Sequence, residues 1–143
     1  KLAGEGLQVT AGVDHPLRGP NAPGLLELSR WPWILYPTST ALRKVSDDIF
    51  SRTGLSLTSG IVETPSFLFA LELMQSTHML SLQPAALVDK YVRRGLLTRI
   101  AVELPNRIPD FGLITLQGEP PSTAVQAFID VIRHLAEQAV DTV

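Results

Sequence analysis

The chain has 143 residues, 45% hydrophobic and 18% charged, with a net charge of -2 and no cysteine. That profile fits one soluble globular domain, or one lobe of a larger protein, with enough chain to bury a sizeable core. It excludes disulfides, thiolate metal sites and cysteine nucleophiles, and with no basic cluster longer than Arg93-Arg94 it argues against nucleic-acid binding by this chain.

Leu7 to Val13 alternates apolar with small or polar residues and ends in the turn Asp14-His15-Pro16-Leu17, which predicts a first strand. Arg18 to Gly24 is a loop by composition, and Leu25, Leu26 and Leu28 make a short helical turn. The next stretch, WPWILYPTSTALRKVSDDIF, organises the rest. Trp31 to Tyr36 has strand length and composition, and Pro37 breaks it into the hydroxyl cluster Thr38, Ser39 and Thr40. A helix follows, with Leu42, Val45 and Ile49 on one stripe and Gly54 as its left-handed stop. The unit then recurs. Ile61 to Glu63 predicts a short strand, with Thr64 as N-cap of a helix from Pro65 to Ser76. Met79 to Leu82 predicts another strand, with Gln83 and Pro84 at the cap and first helical positions and a helix from Ala85 to Arg94.

Leu96 to Leu104 alternates as a strand, Pro105 to Asp110 reads as a linker, and Phe111 to Leu116 as a further strand. Behind Pro120-Pro121-Ser122 a last helix sets Val125, Ile129, Ile132, Leu135 and Ala139 on one face. Three consecutive strand, polar turn, helix units predict an open, mostly parallel α/β sheet flanked by helices. Ligands of such sheets gather at the carboxyl ends of the strands, where helix N-termini converge. Thr38, Ser39, Thr40, Thr64, Ser66, Gln83 and Pro84 would be neighbours there; each also reads as ordinary helix capping.

Catalytic patterns are poor. His15, His78 and His134 are scattered and read as surface or turn residues, with no zinc-binding spacing. The chain has no GxSxG nucleophile elbow and no Walker A, and Gly4-Glu5-Gly6 lacks the third glycine of a dinucleotide fingerprint. Asp47-Asp48 reads as a solvated helix face, and Glu63 as a capping or inter-lobe residue without a proton-transfer partner. Trp31 and Trp33, on one strand face, read as packing rather than a stacking platform. The residues therefore point to no enzyme, no metal and no cofactor. No apolar run nears the roughly 20 residues of a membrane span, and the lack of cysteine fits the cytoplasm.

The segments VTAGVDHPL, WPWILYPTSTALRKVSDDIF, SGIVETPSFLFALELM, MLSLQPAALVDKYVRRGLL, FGLITLQ and STAVQAFIDVIRHL, in that order, resemble the effector-binding domain of LysR-type transcriptional regulators, with a weaker likeness to members governing sugar uptake. The resemblance implies a periplasmic-binding-protein-like (type 2) fold of two α/β lobes with a small effector between them. It implies that residues 1–110 are the second lobe and 111–143 a strand and helix returning to a first lobe that is mostly missing. The opening on Lys1 and the match both lead us to expect a cut piece, with a DNA-binding helix-turn-helix upstream and hinges near Gly6 to Thr10 and Pro109 to Leu113. The stripe on the last helix would then be exposed or covered by another copy of the chain. Carried over by position, the seven residues of the three turns are the effector-binding set, for a sugar or a small carboxylate. The rival is a solute-binding receptor of a transport system with the same fold.

Overall fold

The computed structural model describes residues 6–57, 60–104 and 112–140. Gly6–Ile108 form one compact unit, and the C-terminal segment from Pro109 belongs to another. The first unit holds β1 (Leu7–Gly12), α1 (Leu25–Ser29), β2 (Trp33–Leu35), α2 (Ala41–Thr53), β3 (Ile61–Glu63), α3 (Phe67–Ser76), β4 (Leu80–Pro84), α4 (Ala85–Val92) and β5 (Leu97–Arg99). The five strands make one sheet in the order β3-β2-β4-β1-β5. β2 pairs in parallel with β3 and β4, while β1 runs antiparallel to both β4 and β5. Four strands thus share one direction and β1 alone is reversed, giving the mostly parallel open sheet that the three repeated units predict.

Strand alternation divides the core into two layers. Leu7, Val9, Trp33, Leu35, Leu80 and Leu82 point to one face and meet Leu28 of α1 with Ile49 and Phe50 of α2. Ile34 and Leu97 point to the other and meet Ala70, Leu71 and Met74 of α3. Trp33 is 0% exposed; its indole Nε1 donates to the Leu28 carbonyl at 3.0 Å, and its ring meets Phe50 edge-on at 5.3 Å. Gly12 lets α3 sit directly on β1, because a Cβ there would lie 2.1 Å from the Met74 carbonyl oxygen.

α2 forms where its caps put it. The Thr40 hydroxyl accepts from the Arg43 N–H at 3.2 Å. At the other end Gly54 turns left-handed, with φ 70 and ψ 15, and Leu55 N–H closes onto the Phe50 carbonyl, burying Leu55 in a Schellman-type stop.

Several expectations are corrected. The Trp31–Tyr36 strand is three residues long, Trp33–Leu35, and Trp31 leaves it to pack at 4.6 Å against the His15 ring. α3 begins at Phe67 with Ser66, not Thr64, as N-cap: Ser66 Oγ accepts from Phe69 N–H, while Thr64 Oγ1 accepts from Ser66 N–H and shapes the turn before it. Gln83 is still strand, and Pro84 is the N-cap of a helix that stops at Val92. Of the expected 96–104 strand only Leu97–Arg99 is strand, with the Ile100 N–H adding one bond to the Val9 carbonyl. The linker 105–110 and Phe111 lie outside the described residues, and 112–116 form no strand, since alternation alone cannot supply a ladder partner.

The last helix, α5, spans Thr123–Val140. Of its expected apolar stripe Ile129 is buried, while Val125 and Leu135 are exposed, as are Phe128 at 64% and Val131; the Ala139 side chain lies outside the described residues. His15 sits in a turn, as expected, and is buried there, only 2% exposed. Its Nδ1 accepts from Leu17 N–H and its Nε2 faces the His78 carbonyl at 3.2 Å, which fixes the donor on Nε2. Among the described residues no helix is long and apolar enough to cross a membrane.

Candidate functional site

Because β3, β2 and β4 are neighbours and parallel, their carboxyl ends open on one edge of the sheet. The turns into α2, α3 and α4 start there. Reversed β1 brings its amino end to the same edge, and the Ala85 N–H of the third turn donates to the Gly6 carbonyl at 2.9 Å. The topology therefore does collect Thr38, Ser39 and Thr40, Thr64 and Ser66, and Gln83 and Pro84 on one rim.

Their side chains fall into two groups. Thr40 donates to the Pro37 carbonyl at 2.8 Å while capping α2. Thr64 and Ser66 are spent on the α3 entry. Gln83, 3% exposed, accepts from the Tyr36 phenol at 2.7 Å and donates from Nε2 to Ser81 Oγ at 2.8 Å; Ser81 in turn donates to the Ile34 carbonyl at 2.9 Å. The chain Tyr36–Gln83–Ser81–Ile34 thus stitches β4 to β2 through side chains. Thr38 and Ser39 lie exposed in the turn, and their hydroxyls make no hydrogen bond among the described residues. They are the rim hydroxyls without any hydrogen bond, while those of Thr64 and Ser66, which only accept, keep a donor free.

Sequence reasoning missed Arg43, because it lies inside α2 rather than in a turn. One turn into the helix, it reaches back over the rim: Nη1 donates to Glu63 at the end of β3 at 2.5 Å and to the Tyr36 carbonyl at 3.1 Å, and Nε donates to Asp47 at 2.8 Å. Its side chain is 13% exposed. The hydrogen bonds it donates, to Glu63 first and then to Asp47, hold the guanidinium's pKa above its usual value. The arginine spaced four residues before Asp47 and twenty before Glu63 was the only signal, and spacing across a strand crossover is not readable from the chain alone.

Across the β1–β4 ladder Gln8 faces Gln83, and its Oε1 is buried without a hydrogen-bond partner. Burial pushes the Tyr36 phenol above its ordinary pKa. Ser81 is paired with an amide and a carbonyl rather than a base, so nothing activates it as a nucleophile. Among the described residues no group of three His, Asp or Glu is placed to hold a metal ion.

A second pocket, about 360 Å³, opens at the opposite end of the sheet between Gly12–His15 and Met74–His78. None of the seven expected residues lines it.

Residues 1–137 match the family described as LysR substrate binding domain. The chain is 28% identical over 67 residues to the HTH-type transcriptional regulator GbpR of Rhizobium radiobacter, which covers 47% of this chain and 22% of that protein. In fold it is similar to the regulatory domain of Synechocystis CcmR, solved with 2-PG, with a TM-score of 0.71, 16% identity, and coverage of 94% of this chain and 64% of that one. It is also similar to the effector-binding domain of QuiR, solved with shikimate, with a TM-score of 0.69, 16% identity, and coverage of 96% and 64%. The chain therefore spans about a fifth of the curated relative, at 22%, and less than two thirds of these solved domains, at 64%.

Proposed function

Because the chain belongs to the family of LysR substrate-binding domains, we propose that it is the effector-sensing part of a bacterial transcriptional regulator that takes a small polar metabolite, a sugar or a small carboxylate, at the rim described above. The observation that carries this reading is the convergence of three strand-to-helix turns on one edge, with the Thr38 and Ser39 hydroxyls unengaged. Residues 1–110 would be the second lobe and 111–143 the return segment. Thr38 and Ser39 contact the effector directly; Thr40, Thr64, Ser66, Gln83 and Pro84 hold the turns in shape.

The regulator acts in the cytoplasm as a homo-oligomer, touches DNA through a helix-turn-helix in another part of the protein, and performs no chemistry on its ligand. The effector shifts transcription only by binding one conformational state better than another, on the order of 1–3 kcal/mol. A solute receptor of transport is the weaker reading, since the family match is to a regulator's domain.

The test uses the intact regulator. Ser39→Ala and Thr64→Ala should weaken the effector response in a reporter assay while leaving DNA binding without effector unchanged. Normal responses in both variants would remove the rim as the site.

A further inference from the structure

The second pocket, at the far end of the sheet from the rim, has a charge pattern of its own. It opens where β1 ends at Gly12 and α3 ends at Ser76, between residues 12–15 and 74–78. No Lys or Arg lines it, whereas Asp14 does, with its side chain 94% exposed. The carboxyl end of α3 meets the same space with no basic residue in its last turn, so the partial negative charge of that end has no cation of its own helix to offset it. Its last carbonyls are open. Leu73's accepts from the Thr77 hydroxyl, but Met79 N–H goes to Thr77 Oγ1 and Leu80 N–H to the Pro32 carbonyl rather than back to the helix. The carbonyls of Met74, Gln75 and Ser76 accept no hydrogen bond among the described residues, and Met74 is 0% exposed beneath Gly12. Hydrogen bonding alone does not choose the ligand, since the N–H groups of Asp14 and His78 are open as well. Charge does. His15, on the wall, is held neutral by accepting at Nδ1 and donating from Nε2, and a cation of the chain itself already leans on the mouth: Arg18 Nη1 donates to the Val13 carbonyl at 2.9 Å and lies 3.8 Å from the Asp14 carboxylate.

We propose that this pocket is a binding site, distinct from the rim, for a primary alkylammonium ion such as a free aliphatic diamine. The ammonium carries three donors and no acceptor; they go to the Asp14 carboxylate and the open Gln75 and Ser76 carbonyls. The alkyl chain lies against the His15 and His78 rings, which stand 5.7 Å apart and are backed by Trp31. An anion there meets a carboxylate and the negative end of a helix with no lysine or arginine in the lining to offset them. The site does not depend on the reading of the rim.

Isothermal titration of the intact protein at about pH 8, above the ordinary imidazole range, compares putrescine with two probes of the same chain length, uncharged 1,4-butanediol and dianionic succinate. Putrescine should bind at millimolar concentration and the other two should not. Asp14→Asn should weaken it about two- to fivefold, the scale of an exposed ion pair. Gln75→Arg, which tethers a guanidinium at the mouth, should abolish it, and Ser39→Ala at the rim should leave it unchanged. Butanediol or succinate binding as well as putrescine would overturn the cation site. So would putrescine binding that ignores Asp14→Asn and Gln75→Arg, binding that is lost with Ser39→Ala, or no binding of putrescine at millimolar concentration.

Discussion

Ser81→Ala offers a sharp check on the polar seam between β2 and β4. The substitution removes one hydroxyl that is 0% exposed, and with it the bond to the Ile34 carbonyl and the acceptor for Gln83 Nε2. The lost bond is worth about 1 kcal/mol and the buried amide left without an acceptor about 1–3 kcal/mol more, so the variant should lose about 2–4 kcal/mol. With a urea m value of about 2 kcal/mol/M, the middle of the usual range, the midpoint should fall by about 1–2 M. The assay is urea unfolding followed by tryptophan fluorescence, because both tryptophans, Trp31 and Trp33, lie in the unit of residues 6–108.

Gln83→Leu added to Ser81→Ala removes the stranded amide. The Tyr36 phenol, half-buried, then turns to water. The double variant should be more stable than the sum of the single losses implies, by about 1 kcal/mol or more. If the two losses add to within about 0.5 kcal/mol, Ser81 and Gln83 do not act as a unit and the account of the seam is wrong.

Two other outcomes follow from the fold. Gly12→Ala would force a Cβ to within 2.1 Å of the Met74 carbonyl oxygen, so α3 must lift from β1; a loss of about 1–3 kcal/mol is expected, seen as a lowered melting temperature by differential scanning calorimetry. Burial holds His15 below its usual value of 6.5, so as pH falls through that value the unfolded chain takes up a proton that the folded chain declines. Stability contributed by neutral His15 is thus present above about pH 6.5 and drains away below it; a chemical-denaturation series from pH 8 to 5 should show the decline, and His15→Gln should flatten it.

Much of the architecture was legible because it is written in local terms. Proline, hydroxyl and glycine punctuation marked α2, α3 and α4, and the alternation of Leu7 to Val13 marked β1. Strand lengths were overestimated where β composition outran the available partners, as at Trp31 and at residues 101–104. The turn into α3 was misread by two residues because Thr64, Pro65 and Ser66 each carry a start signal, and only geometry shows that Ser66 reaches Phe69. The rim itself was half legible. Its hydroxyls could be named from the turns, but Arg43 arrives from within a helix and Tyr36–Gln83–Ser81 is assembled by strand order. The burial of His15 within its expected turn was not legible, because it depends on Trp31 and His78, which are distant in sequence.

The reversed strand β1 also sets how the Gly6–Ile108 unit responds to force. Its first and last strands lie side by side, with Thr10 opposite Arg99, Gly12 opposite Leu97, and the Ile100 N–H on the Val9 carbonyl. The chain enters through β1 and leaves through β5 at the same end of the sheet, so tension between those two points loads the pair as a zipper rather than in shear. Its hydrogen bonds are met one after another instead of all together. Single-molecule pulling between Leu7 and Ile100 should therefore open this seam at low force, before the parallel β3-β2-β4 rim that carries the candidate site gives way.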